Sequence, residues 1–412
     1  MAGERVAKPL GAICDVKQGR YLSPGEMAES RTPSNPVPVY GANGILGYTD
    51  KVMYDSAVSL VTCRGSNCGM LQRTKGRSWI SNNAMACSPK IPNESRYLHY
   101  LLLASKFADV TTGSAQPQIT MGHLNTKPLT LAIDPVEQKA IGQILGTLDD
   151  KIEVNERMNV TMEAMAQALY QSWFVDFEPV RAKLDGRLSP GLDPATAELF
   201  PAHFDRKAAG VVPTGWRATT LAEVIEVFDS KRIPLSGRER DIRKGPFPYH
   251  GAASVMDHID GYLFDGIYLL MGEDGSVINE DGSPVLQYVW GKFWVNNHAH
   301  VLRGKNGVCA EHLLLHLKNC NITAFVTGAV QPKLNQGNMN RIPFMLPPPE
   351  IGQAFAKTIE PLFAQIRANT DQSRTLATLR DTLLPKLLSG ELSAAGTVAK
   401  SATVQTGKET RP

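Results

Sequence analysis

From Leu145 to Trp173, apolar and polar positions recur in steps of three and four: Leu145, Leu148, Ile152, Asn155, Asn159, Met162, Ala166, Leu169 and Trp173. This is a heptad seam about four repeats long, and it predicts a long helix packed on a partner. The seam recurs 214 residues later as Ile359, Leu362, Ile366, Asn369, Ser373, Leu376, Arg380, Leu383 and Leu387. Polar residues occupy the same two layers in both copies. Antiparallel pairing about a pseudo-two-fold axis would set Asn159 opposite Ser373, fixing register at some cost in stability. The first helix has a predicted start: Asp134 as N-cap, Pro135 in the first position and Glu137 completing a capping box. The second begins after Pro347-Pro348-Pro349, with Glu350 in its first turn, and stops at Gly390. A seam helix of about 29 residues is roughly 43 Å long.

The segments before the helices also repeat. Thr112-Gly113-Ser114-Ala115-Gln116-Pro117 returns as Thr327-Gly328-Ala329-Val330-Gln331-Pro332, and Trp79-Ile80-Ser81-Asn82-Asn83 returns as Trp294-Val295-Asn296-Asn297. A period this long reads as duplication of a whole domain with the helix that follows it. Strand-like runs at 57–62, 79–80, 266–271 and 285–290 mix with short apolar helices at 97–105 and 311–318. The expected fold class is α/β (α+β): two similar mixed domains separated by two long antiparallel coiled-coil-like helices. The boundaries are a first domain over 1–135, a spacer helix over 136–180, a connecting segment and second domain over 181–346, a second spacer helix over 347–392, and a disordered tail over 393–412.

Charge sharpens this division. The chain carries 43 Lys+Arg against 40 Asp+Glu. Residues 1–135 hold 14 basic and 9 acidic residues, whereas 136–180 hold 3 and 8. The first domain could meet nucleic acid, and the acidic helix suits a protein partner better. No apolar run approaches the roughly 20 residues of a membrane span, and the start lacks signal-peptide features, so a cytoplasmic chain is expected. The six cysteines include no C-x-x-C pair and read as bland thiols rather than a zinc site.

Catalytic signatures are missing. The sequence has no phosphate-loop motif, no N-P-P-[YF] methyltransferase tetrapeptide, no H-E-x-x-H and no G-x-S-x-G. Asp134, Glu137 and Lys139 could form a metal-dependent nuclease fragment, but a helix cap explains the first two more simply. Gly272-Glu273-Asp274-Gly275 reads as a tight acidic turn before it reads as a metal site. His298 and His300 would share a strand face. Neither a metal nor a cofactor is expected on this chain.

Binding chemistry is better represented. Arg and Lys grip phosphates or pair with guanine, and Asn and Gln pair with adenine. Turn-rich segments supply these types at corresponding places in both domains. The candidate DNA-contacting residues are Lys17, Gln18, Arg20, Arg64, Ser66, Asn67, Asn82, Asn83 and Gln116 in the first domain. In the second they are Lys231, Arg232, His250, Asn296, Asn297, Gln331 and Lys333. Each alone is a common loop residue; the set gains weight from its repetition.

Two longer runs, residues 138–180 with their Trp173-Phe174-Val175-Asp176-Phe177 core and 379–392 (LRDTLLPKLLSGEL), resemble the conserved regions of the specificity (S) subunit of type I restriction-modification enzymes. The Gly-x-x-Gln-Pro turns and the segment before the second domain are similar as well. The resemblance implies two target recognition domains, each reading half of a split double-stranded DNA target, with the helices as spacers. It implies docking of two methyltransferase (M) subunits and two restriction (R) subunits. S-adenosylmethionine, ATP and Mg2+ would serve those partners in N6-adenine methylation and restriction, leaving this chain non-catalytic. Met158, Met165 and Tyr170, off the seam, are expected to meet partner helices. A stand-alone nuclease and a pure assembly scaffold are the competing readings.

Overall fold

The computed structural model describes residues 3–90, 95–113, 115–207, 210–328 and 330–394. The described chain divides into two compact units. Residues up to Val154 together with those from Gln372 onward form unit 1, and Asn155–Asp371 form unit 2. Both long helices, Pro135–Tyr170 and Pro349–Ser389, cross that boundary.

Among the described residues of unit 1, the strands Cys14–Gln18, Ala84–Pro89, Ser59–Thr62 and Leu71–Arg73 lie in that order in one antiparallel sheet. A second sheet orders Gly44–Thr49, Val37–Gly41 and Trp79–Ile80, the last pair being parallel. Arg5–Pro9 pairs with Pro128–Ala132. The helix Ser95–Leu103 turns Leu98, Leu101 and Leu102 into a core shared with Val61, Met85, Ile141 and Leu145. Leu384, Leu387 and Leu388, from the C-terminal end of the second long helix, complete it. Gly390, at φ 84°, then stops that helix as predicted. Of the expected tail, Ala394 is fully buried in this core, so ordered chain runs past its predicted start. Residues 395–412 lie outside the described residues.

Unit 2 repeats this plan. Ile225–Val227, Ala299–Gly304, Tyr268–Gly272 and Leu286–Val289 form the first sheet in the equivalent order. The parallel pairing recurs between Lys244–His250 and Lys292–Val295. Ala310–Lys318 is the short apolar helix. A side-chain tie is also duplicated. Gln72 Nε2 donates to Gly41 O and Ala42 O at 3.0 and 2.8 Å, and Gln287 Nε2 donates to Gly251 O and Ala252 O at 2.9 and 3.2 Å. Residues 181–215 are more structured than a connector: they carry the helix Pro194–Leu199 and a hairpin, Phe204–Lys207 with Gly210–Pro213.

The Trp173–Phe177 run is an aromatic anchor for unit 2. Trp173 meets Phe200 and Phe355 with ring centroids 5.1 and 5.3 Å apart, and Phe174 meets Phe355 at 4.7 Å. Burial of each such ring stabilises the unit by about 2–3 kcal/mol. Phe177 takes a left-handed conformation, φ 53°, that turns the chain after the helix. Tyr170 is buried in the same cluster and bonds His316 Nδ1 at 2.9 Å, so it is not available to a partner as expected. Met158 and Met165 are exposed.

Two expectations at the helices need correction. Asp134 does cap, its Oδ1 accepting from Val136 N at 2.9 Å, but Glu137 closes no capping box. Glu137 is buried and forms a two-pronged ion pair with Arg5, both contacts 2.9 Å. In unit 2 the polar layer of the seam joins Asn159 to Asn369 and Thr370 at 3.0 and 3.1 Å, and Asn155 Nδ2 donates to Asn369 O at 3.3 Å. Asn159 is therefore aligned with Asn369, one helical turn before the predicted Ser373. The seam positions Leu148, Ile152, Met162, Leu169, Leu362, Leu376 and Leu383 are half-buried, and Ile366 is buried.

Candidate nucleic-acid interface

In unit 1 three loops converge because their backbones bond one another. Gly19 N donates to Ala84 O at 3.0 Å and Arg20 N to Ile80 O at 2.8 Å. A side chain at Gly19 would lie 2.1 Å from Ser81 O, so this crossing requires glycine. Cys63 N bonds Asn83 O, and Gly65 N bonds Pro117 O at 3.1 Å, drawing the 64–67 turn against the Gln-Pro turn. Arg64, Gly65, Ser66, Gln116 and Gln118 line a cleft of about 650 Å³. Lys17, Gln18, Arg20, Arg64, Ser66, Asn83 and Gln116 are exposed around these loops, while Asn67 and Asn82 are half-buried. Asn67 bonds Asn43, and Gln18 Nε2 donates to Asn82 O at 3.0 Å. The grouped cations Lys17, Arg20 and Arg64 form no ion pair among the described residues. Exposed, unpaired cations beside amide side chains can bind phosphate and read base edges.

Unit 2 builds the same loop crossing with opposite charge. Gly275 N bonds Pro332 O at 3.1 Å, matching the Gly65–Pro117 bond, and Asp274 pairs with Lys333 where Arg64 pairs with Gln118. Asp274 thus stands where unit 1 has Arg64. It accepts from Gln331 Nε2 at 2.8 Å and lies 3.5 Å from Lys333 Nζ. The acidic turn, which looked bland in the sequence, is the counterpart of a candidate contact loop. Aligning Gly65 on Gly275 would have exposed this.

Several predicted contacts of unit 2 are internal. Arg232 is nearly buried and donates to Glu273 Oε2 at 2.5 Å and Ala299 O at 2.6 Å. His250 is buried, with Nδ1 2.9 Å from Gln287 Oε1. Asn296 is buried and accepts from His298 N at 2.8 Å. These three support the loops rather than face solvent. Lys231, Asn297, Gln331 and Lys333 remain exposed.

His300 does not share a surface site with His298. It is buried, 2.6 Å from Asp229 Oδ2 through Nδ1 and 2.7 Å from Leu334 O through Nε2. Burial opposes its charge, yet the Asp229 hydrogen bond and charge outweigh this and raise its pKa. Asp229, Glu273 and His300 are close enough to suit a metal ion, with ligand atoms within 4.8 Å of one another. Arg232 already supplies the positive charge there, bonding Glu273 and lying 3.5 Å from Asp229, so the donor set fits an internal ion network instead. No helix among the described residues is long and apolar enough to cross a membrane.

The type I restriction modification DNA specificity domain matches this chain twice, over residues 5–164 and 213–377. A putative type I restriction enzyme specificity subunit of Haemophilus influenzae is 34% identical over 144 residues, 35% of this chain; the chain spans only 36% of that relative's length. The MjaIX type I restriction enzyme specificity subunit of Methanocaldococcus jannaschii is 25% identical over 428 residues, covering 92% of this chain and 93% of the relative. A solved type I restriction-modification S subunit from M. genitalium shares the fold, with TM-score 0.60 at 17% identity, over 94% of this chain and 96% of that one.

Proposed function

The chain belongs to the type I restriction modification DNA specificity family, and from that premise we propose that it is the sequence-reading subunit of a type I restriction-modification complex. Each unit reads one half of a split double-stranded DNA target. The chain supplies recognition and no chemical step. N6-adenine methylation and restriction belong to methyltransferase and restriction subunits, two of each, which use S-adenosylmethionine, ATP and Mg2+. The long helices set the spacing of the half-sites and dock the methyltransferase subunits, for which the exposed Met158 and Met165 are suitable contacts.

One observation carries the reading: the same loop crossing occurs in both units with Arg64 in one and Asp274 in the other. A guanidinium favours guanine, whereas a carboxylate accepts from cytosine and repels phosphate. Two such loops would read different half-sites, giving an asymmetric target. A scaffold that never touches bases has no use for that inversion, and the Glu137 of the nuclease reading is committed to Arg5. The test is methylome sequencing of the source strain with and without the gene. Loss of one split N6-methyladenine motif with unequal halves is the expected result. An unchanged set of motifs in a strain expressing the intact complex would refute the reading.

A further inference from the structure

Unit 1 contains a second basic cavity that shares no residue with the loops above. It has a volume of about 600 Å³ and is lined by Arg73, Arg96 and Lys139 together with Ser95, Gln143 and Thr147. No carboxylate lines it among the described residues. Arg96 is paired with Asp150 at 2.8 Å, and the acidic Asp149, Asp150 and Glu153 line a separate cavity that Arg73 and Arg96 also border. Arg73 gives one hydrogen bond, Nη2 to Ser95 Oγ at 3.0 Å, and its buried Nε has no partner among the described residues. Lys139 is exposed and carries no ion pair among them. With a single neutral acceptor on its guanidinium, Arg73 keeps N–H donors at the cavity that an oxyanion can take.

Unit 2 provides an internal comparison. Gln72 and Gln287 make the same backbone contacts, so Arg73 corresponds to Tyr288; likewise Arg96, second in its helix, corresponds to Glu311. There the place is filled by the chain's own charges. Tyr288 Oη donates to Glu311 Oε1 at 2.5 Å, while Arg367 donates to Tyr288 Oη at 2.6 Å and to Glu360 at 2.7 Å. Unit 2 satisfies itself at this position, and unit 1 gathers cations around open space.

We propose that the Arg73–Arg96–Lys139 cavity of unit 1 is a binding site for a phosphate group. Three cations plus the Ser95 hydroxyl and the Gln143 amide offer more donors than one carboxylate can accept. They suit the charged terminal oxygens of a phosphate group, two on a diester and three on a monoester. The volume admits a group as large as a nucleotide. The phosphate has two sources, a free phosphate compound or the DNA backbone.

The test uses the full-length chain and the variants Lys139→Gln and Arg73→Gln. Inorganic phosphate and ATP are titrated at ionic strength matched with chloride, following melting temperature and heat of binding. Saturable binding is expected, weakened about tenfold by Lys139→Gln and abolished by Arg73→Gln. Lys139 is exposed, so its variant keeps the test valid if Arg73→Gln fails to fold. The salt dependence of DNA binding is then measured with the same proteins. A slope lower by about one in the variants identifies a backbone phosphate. An unchanged slope with lost phosphate binding identifies a free compound. No saturable binding together with an unchanged slope, or binding equal in wild type and both variants, overturns the proposal. A wild-type chain that binds phosphate but shows no sequence-specific DNA binding in the intact complex would count against the DNA-reading function alone.

Discussion

Removal of the Glu137 carboxylate should unfold unit 1 before it affects anything else. Arg5 and Glu137 are both nearly buried, with side chains 11% and 5% exposed. The guanidinium gives two bonds of 2.9 Å to Glu137, one of 3.0 Å to Leu387 O and one of 2.7 Å to Leu388 O. Glu137→Ala strands this cation in the core and should cost about 3–5 kcal/mol. Arg5→Met alone strands the carboxylate and leaves two helix-terminal carbonyls without their donor, a similar cost. The double variant Arg5→Met/Glu137→Leu should cost far less than the sum, with a coupling of about 2–3 kcal/mol. Because a two-unit chain need not melt in one step, denaturation should be followed by hydrogen exchange resolved for each unit. Protection should fall in the 5–9, 128–132 and 384–388 segments and stay unchanged in the 268–272 strand. A cost below about 1 kcal/mol for Glu137→Ala, or strictly additive singles, would refute the buried-pair argument.

Other outcomes follow from the same geometry. Arg64→Gln and Lys17→Gln should each lower the salt slope of DNA binding by about one without changing the melting temperature. Arg232→Gln should do the reverse, destabilising unit 2 by leaving Glu273 and Asp229 uncompensated; a melt and a DNA titration on one sample separate the two. Burial holds the His312 pKa down to about 3 and the His316 pKa down to about 4, the latter despite its bond to Pro343 O. The unfolded chain then binds more protons than the folded one below about pH 6.5, so stability should fall with acid from there toward pH 4. His312 alone should account for about 2–3 kcal/mol at pH 4.5, and His312→Leu should flatten the pH dependence of the unit 2 melt. Asn369→Leu should destabilise by leaving Asn159 Oδ1 without its donor, whereas Asn159→Leu/Asn369→Leu should recover stability; chemical denaturation of the pair measures this.

Periodicity makes the long helices, the stop of the second at Gly390 and the duplication legible, but not the end of the first, which the sequence carries to 180 and the structure breaks after Val175, at the left-handed Phe177. The two expected short helices and the four expected strand runs lie within two residues of their observed bounds, while the remaining strands leave no such signal. Register was less accessible. A seam with apolar residues every three or four positions tolerates a slide of one turn, and the hydrogen bonds of Asn159 to Asn369 and Thr370 choose the alignment. Side-chain roles were least legible where charge is satisfied by distant chain. Arg232 and Glu137 looked like a DNA contact and a capping residue because their partners, Glu273 and Arg5, lie 41 and 132 positions away. Exposed unit 1 residues such as Lys17, Arg20 and Arg64 raise no such conflict, since their environment is solvent. Asp274 is a case of another kind, since its equivalence to Arg64 emerges only when the two units' loop bridges are compared.

The Arg5 contacts to Leu387 and Leu388 span more than 380 positions, and they impose an order on synthesis. Unit 2 is a continuous stretch and can complete its core once residue 371 has emerged. Unit 1 begins first yet must wait for Leu384–Leu388, close to the end of the described residues, to close its core. Its early strands therefore stay open while the later unit matures, so the slow, high-contact-order step belongs to the part of the protein made first.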